Sequence, residues 1–145
     1  MRLLVTGGAG YIGSVVALQL LEAGHEVIVL DDLSKGHEAA VSSEAGFVRV
    51  DLLDAQRLME TLARGYDGVL HFAALSLVGE SVEQPGWYYR ANLTGTLNLL
   101  DSMQKAGVPR LVFSSTAAVE EKSTRGTPAA RMASSRFRAP ATLVR

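Results

Sequence analysis

The chain has 145 residues, the length of one domain, and its 48% apolar and 20% charged side chains suit an ordinary globular protein with a sizeable core. It has no cysteine, which excludes disulfide and thiolate chemistry, and no apolar run of the roughly 18 residues that a membrane span needs. With no secretory pattern at its start, it reads as cytoplasmic and away from membranes. The net charge of −1 divides unevenly: residues 120–145 carry +4 and the first 119 residues carry −5. A basic tail on an acidic body raises the idea of a nucleic-acid arm. With Phe137 as its only aromatic, this tail falls short of an interleaved stacking surface, and no nucleic-acid partner is expected.

In chain order, Arg2 to Thr6 reads as a buried strand and Tyr11 to Ala23 as a helix. Ile12, Val15, Val16, Leu18, Leu20 and Leu21 supply a wide apolar face to that helix, and Gly24 stops it. Between strand and helix lie the glycines of Gly8-x-Gly10-x-x-Gly13 or, equally, Gly7-x-x-Gly10-x-x-Gly13. Either spacing serves a pyrophosphate. The first glycine permits the sharp turn, the second lets backbone approach the anion, and the third lets the helix pack closely. Free N–H groups at the helix N-terminus would face the phosphates.

Glu26 to Leu30 is a second strand, completing a right-handed βαβ unit that ends at Asp31 and Asp32. Asp31 follows Gly10 by 21 residues, where a carboxylate can accept hydrogen bonds from both hydroxyls of an adenosine ribose. It would repel a 2′-phosphate, and no arginine nearby in sequence offsets Asp32, so NAD is expected over NADP. The polar turn Leu33-Ser34-Lys35-Gly36 is placed to close over the adenosine.

Phe47 to Val50 is a third strand leading into Asp51 and Leu52, and Ala55 to Arg64 is a helix with Leu58, Met59 and Leu62 on one face. Gly68 to Ala74 is a fourth strand whose small residues would let backbone lie against a cofactor. His71, inside that apolar run, reads as a satisfied core histidine rather than a catalytic one. His25 and His37 fall in loops, and no set of His, Asp and Glu has metal-ligand spacing. A long helix from about Pro85 to Ala106 is capped by Gly107, with Tyr89, Leu93, Thr96, Leu97, Leu100 and Met103 on its expected buried face. Asn92 and Gly95 share a face of this helix, where a small residue would allow close approach to the sheet. Arg110 to Ser115 is the fifth strand, placing Ser114, Ser115 and Thr116 at its carboxyl end. Five β–α alternations imply a Rossmann-type, doubly wound parallel sheet of order 3-2-1-4-5, with ligands at its carboxyl edge.

These residues carry a resemblance over roughly residues 1–119. The chain resembles the extended short-chain dehydrogenase/reductase superfamily and, within it, the UDP-glucose 4-epimerase family. The carriers are the stretches 6–14, Asp31-Asp-Leu-Ser34, Asp51-Leu52, His71-Phe-Ala-Ala74, Asn92-Leu-Thr-Gly-Thr96 and Phe113-Ser-Ser-Thr-Ala-Ala-Val119. Val78-Gly-Glu-Ser81 favours the epimerases over sugar-nucleotide dehydratases and decarboxylases. The resemblance implies NAD as cofactor, bound through Gly7, Gly10, Tyr11, Ile12 and Gly13 at the phosphates, and through Asp31, Asp32, Leu33, Ser34, Lys35 and Gly36 at the ribose. Asp51 and Leu52 would meet adenine. Phe72, Ala73, Ala74, Leu75, Ser76, Asn92 and Ser114 would line the rest, although many relatives carry lysine where this chain has Ser76.

By the same resemblance the family oxidises the sugar of a UDP-sugar at C4 by hydride transfer to NAD, while a tyrosine takes the hydroxyl proton. The 4-keto sugar then turns over and regains the hydride on its other face. Thr116 matches the family's catalytic Ser/Thr. The tyrosine base belongs to a Tyr-x-x-x-Lys motif, which lowers its pKa from about 10. None of Tyr11, Tyr66, Tyr88 and Tyr89 has a lysine four residues later, and no tyrosine follows Thr116. The family would continue Ala-Ala-Val with Tyr-Gly, whereas this chain has Glu120-Glu121 and then an aperiodic basic stretch. The expectation is an incomplete NAD-binding domain over 1–119, cut before the sixth strand and the substrate domain, and a frame-shifted tail over 120–145. Such a chain would be inactive as an epimerase. Other sugar-nucleotide dehydratases, decarboxylases or reductases, and a non-catalytic NAD-binding module, stay open as alternatives. The family commonly dimerises through a bundle built partly from the long helix, so a homodimer is compatible.

Overall fold

The computed structural model describes residues 1–114. Strand β1 (Arg2–Thr6) lies at the centre of a parallel five-stranded sheet of order β3-β2-β1-β4-β5. β2 is Glu26–Asp31, β3 Gly46–Arg49, β4 Gly68–His71 and β5 Leu111–Phe113. The register sets Leu4 beside Ile28 and Val69, so the apolar runs of the three central strands are stacked in the middle of the molecule. A parallel sheet covered on both faces needs near-continuous apolar strands, and the run Val27–Leu30 is buried throughout. Alternate side chains feed two cores. Leu4, Ile28, Leu30 and Val69 pack with Leu58, Leu62, Leu99 and Met103, while Val5, Val27 and Val29 pack with Ala17.

The helices show why each end falls where it does. Helix α1 (Tyr11–Glu22) stops at Gly24 (φ +80°), where the amides of Gly24 and His25 bond back to Leu21 and Leu20. Helix α2 (Ala55–Leu62) starts at Asp54, whose carboxylate accepts the Arg57 N–H at 3.0 Å. β4 ends at His71 rather than Ala74, because the chain leaves the sheet there to line a cavity. Two short pieces escape the sequence reading, a 3₁₀ turn at Glu38–Ala40 and helix α3 (Val78–Glu83). The long helix is three segments: α4 (Pro85–Tyr89), a π-type turn over Arg90–Thr94, and α5 (Gly95–Ala106).

Two expected faces are corrected in part, since Leu20 and Leu21 of α1 and Met103 of the long helix do pack on the core as expected. In α1 the buried residues are Gly13 and Ala17, one turn apart, while Ile12, Val15 and Leu18 are about half exposed. The helix lies so close to the glycine turn that only small side chains fit beneath it. In the long helix the buried line runs through Tyr88, Gly95, Leu99, Ser102 and Met103. Tyr89, Leu93, Leu97 and Leu100 face outward at 72, 57, 50 and 40% exposure. The helix is apolar on two sides, and the smaller residues let it approach the sheet. At Gly95 an added Cβ would sit 3.1 Å from the Leu52 Cβ.

Candidate functional site

One cavity of about 410 Å³ opens at the carboxyl edge of the sheet, lined by residues that follow β1, β2, β3, β4 and β5. Gly7, at φ +72°, turns the chain out of β1; a Cβ there would fall 2.5 Å from the Ala73 nitrogen. At Gly13 a Cβ would fall 2.2 Å from the Gly7 carbonyl, which no relaxation of a side chain could accommodate. Gly10 has only that same carbonyl near it, at 3.3 Å, and lines the cavity. Gly8 does not line it and instead abuts the Val29 side chain. The geometry therefore selects the Gly7-x-x-Gly10-x-x-Gly13 spacing. Gly10 caps α1 without a side-chain bond, and the first turn holds no acidic residue, so the positive end of the helix dipole faces the cavity.

Asp31 closes the opposite rim of this turn. It is 8% exposed, and its two carboxylate oxygens accept the N–H groups of Ala9 (3.0 Å) and Leu33 (2.9 Å). Ala9 is held again where its carbonyl accepts the His37 N–H at 3.0 Å. The glycine turn is thus tied to the end of β2 by backbone on one side and a buried charge on the other. Asp32 accepts both the N–H and the hydroxyl of Ser34 through one oxygen. Leu33, at φ +63°, is the one expected contact that does not line the cavity: its amide is spent on Asp31. The absence of an arginine near Asp32 is also corrected. Pairing of β2 with β3 sets Arg49 beside Asp31, and the Arg49 Nε donates to the Asp32 carbonyl at 3.3 Å, outside the cavity.

The other wall is built from Phe72, Ala73, Ala74, Leu75 and Ser76, with Asn92 and Ser114. Asn92 grips the Leu75 peptide at two points, accepting its N–H at 2.8 Å and donating to its carbonyl at 2.9 Å. Asp51 and Leu52 line the floor with Val50 and Leu30. Lys35 reaches across to Glu80 of α3 at 3.1 Å, and Glu80 accepts the Tyr88 hydroxyl at 2.7 Å. The Tyr88 and Lys35 hydrogen bonds hold the Glu80 carboxyl below its ordinary value, whereas burial and then Glu80 raise the Tyr88 phenol. His71, expected as a core histidine, is 2% exposed and bonded at both ring nitrogens, to Thr6 and Thr96. Burial pushes its pKa down to about 4.

The cavity brings together every expected cofactor residue except Leu33. Sequence reasoning missed Leu30, Val50, Trp87 and Ala91, which also line it. Leu30 and Val50 end β2 and follow β3, so the rule that ligands sit at carboxyl strand ends would have found them. Trp87 and Ala91 sit one turn apart beside Asn92, a helical spacing that points them at one place. Thr116 and Ser115 lie outside the described residues, as does the stretch 120–145. Among the described residues no group of His, Asp and Glu could hold a metal, and no helix is long and apolar enough to cross a membrane.

Comparison with known proteins agrees with this geometry. The NAD dependent epimerase/dehydratase family matches residues 3–142. A UDP-glucose 4-epimerase of Streptomyces lividans is 58% identical over 120 residues, covering 81% of this chain and 36% of the relative. A Klebsiella pneumoniae protein of the same name is 45% identical over 127 residues, covering 82% of this chain and 91% of the relative. The crystal structure of UDP-glucose 4-epimerase from Brucella ovis in complex with NAD superposes with a TM-score of 0.78 at 44% identity, over 83% of this chain and 37% of that one. The chain thus spans little more than a third of the Streptomyces relative's length.

Proposed function

Because the chain belongs to the NAD dependent epimerase/dehydratase family, we propose that it is the NAD-binding part of a UDP-glucose 4-epimerase, a cytoplasmic enzyme of galactose metabolism. The single observation that carries the reading is the close-packed Gly7–Gly10–Gly13 turn tied to buried Asp31 at the mouth of one cavity. That cradle has the parts a dinucleotide needs: an open helix N-terminus for the pyrophosphate, a carboxylate for the ribose, and a wall of small residues. In this assignment Tyr11 and Ile12 bind phosphate by backbone, and Asp31 accepts from the ribose hydroxyls through its remaining lone pairs. Asp51 and Leu52 meet adenine, and Ala73 to Ser76 with Asn92 and Ser114 enclose the nicotinamide half. The buried negative charge of Asp31 disfavours a 2′-phosphate, so NAD is preferred to NADP.

Bound NAD would supply the hydride acceptor and donor for C4 of a UDP-sugar. Thr116 would hydrogen-bond the sugar hydroxyl. The chain lacks the Tyr-x-x-x-Lys base, so we propose that it does not turn over UDP-glucose as it stands. We read residues 1–119 as the cofactor-binding unit and 120–145 as sequence from another reading frame, from the abrupt change of composition at Glu120. The outward apolar stripe of Tyr89, Leu93, Leu97 and Leu100 supports a homodimer through this helix.

Calorimetric titration of the 145-residue chain with NAD and NADP tests the binding, with an expected NAD dissociation constant on the order of micromolar and weaker NADP binding. No NAD binding would overturn it. Conversion of UDP-glucose to UDP-galactose by the same chain would overturn the inactivity. Sequencing the coding DNA across codons 110–145 tests the tail: another frame resuming with Tyr-Gly supports the shift, and a single sensible frame through Arg145 refutes it.

A further inference from the structure

The buried His71 is connected to the cavity wall by hydrogen bonds whose directions can all be assigned. The Thr96 hydroxyl lies 2.6 Å from the Asn92 carbonyl, which can only accept, so Thr96 donates its one proton there. The 3.0 Å contact between Thr96 Oγ1 and His71 Nε2 must therefore be donated by the ring. His71 is neutral inside the core, so its Nδ1 carries a lone pair and accepts the Thr6 hydroxyl at 2.6 Å. The chain of bonds runs one way: Thr6 to His71, to Thr96, to the backbone of Asn92. Asn92 sits within the π-type turn, and its side chain clamps the Leu75 peptide. In such a turn the backbone bonds shift from i→i+4 to i→i+5, and the Thr96 hydroxyl gives the Asn92 carbonyl a side-chain donor there. Thr6 anchors the start of the chain of bonds, because β1 is central and Thr6 is wholly buried.

We propose that His71, as its Nε2–H tautomer, is a positioning residue: it orients Thr96, which fixes the π-type turn so that Asn92 holds Leu75 in the wall of the dinucleotide cavity. The proposal rests on the reading of that cavity as a dinucleotide site. It touches neither cofactor nor substrate directly. His71 acts at a distance, through Thr96 and Asn92.

The test uses the 145-residue chain. The ¹⁵N imidazole resonances of His71 at neutral pH should report the Nε2–H tautomer; the Nδ1–H tautomer would overturn the proposal. Exchange of the Leu75 amide should be about tenfold faster in Thr96→Val and His71→Phe. It should return to the wild-type rate in Thr96→Ser and, because the Gln amide can replace the Nε2 donor, closely approach it in His71→Gln. Unchanged Leu75 exchange in both Thr96→Val and His71→Phe refutes the relay. Should one of those variants fail to fold, Leu75 exchange in the other decides, and should both fail, the tautomer in the wild-type chain does. A titration with NAD separates the two readings. No NAD binding by the wild-type chain with the tautomer and the Leu75 protection intact removes the cofactor reading and keeps the relay. NAD binding that Thr96→Val leaves unchanged overturns His71 as a positioning residue of the cofactor site.

Discussion

The two walls of the cavity are built by different means. The wall from β1 and β2 is backbone folded on backbone, with glycines where a Cβ has no room and a buried carboxylate tying the turn to the next strand. The wall from β4 and the long helix is fixed by side chains far apart in sequence: Thr6, His71, Asn92, Thr96, Glu80 and Tyr88. A backbone wall fails by steric collision and has little tolerance. A side-chain wall fails by losing hydrogen bonds one at a time, and its failures are graded and depend on pH.

The largest effect should come from breaking the first wall. Gly13→Ala puts a methyl 2.2 Å from the Gly7 carbonyl oxygen and 2.8 Å from the Gly8 Cα, both backbone atoms. It should cost at least about 3 kcal/mol of stability in urea unfolding, where Gly10→Ala costs less than about 1 kcal/mol. An equal cost for the two would mean that steric collision does not set the tolerance of the first wall.

The second wall should show itself through acid. His71 has a folded pKa of about 4 against 6.5 ordinarily, so the unfolded chain binds the proton first. The His71 contribution to stability is full above pH 6.5, should fall as pH drops toward 4 and level off below, by up to about 3 kcal/mol. His71→Phe should flatten that stretch of the stability–pH curve, measured by urea unfolding at each pH. A slope that survives the substitution would assign it to other groups.

Asp31 belongs to the first wall but works through charge. Asp31→Asn replaces one carboxylate acceptor with a donor that must face either the Ala9 or the Leu33 N–H. NAD affinity should fall about ten- to a hundredfold in a calorimetric titration, and the preference over NADP should narrow. The smallest effect is expected at Glu80. Its carboxyl is held low in the folded state, so its contribution is present above the ordinary value of 4.5 and is lost as pH falls through the folded value. Glu80→Gln should reduce only the slope below pH 4.5, read from unfolding curves with and without the substitution, since the ion pair with Lys35 is solvent-screened.

The first wall was legible in the sequence because its determinants are neighbours. A strand, a glycine turn, a helix and an acid occupy residues 2–31, and each follows from local backbone rules. The second wall was legible only in part. Asn92 and the run after β4 were expected at the cofactor, and His71 was read as a satisfied core residue, which its two hydrogen bonds bear out. Its bonded partners were not legible, since Thr6 lies 65 residues before it and Thr96 lies 25 after. The outward turn of Leu93, Leu97 and Leu100 was misread for a related reason. Periodicity reports that a face is apolar and says nothing of what covers it.

By itself, then, the sequence determined the order of elements, the parallel sheet they form and the glycine turn between the first strand and helix. Those features follow from strand hydrophobicity, helix stops and the conformational demands of glycine, all decided within a few residues. Only the tertiary structure decided which of two apolar helix faces meets the sheet, which glycine spacing addresses the cavity and which nitrogen of His71 carries the proton. Each of those depends on the close approach of segments remote along the chain, where van der Waals contact and hydrogen-bond direction, rather than local preference, select one arrangement.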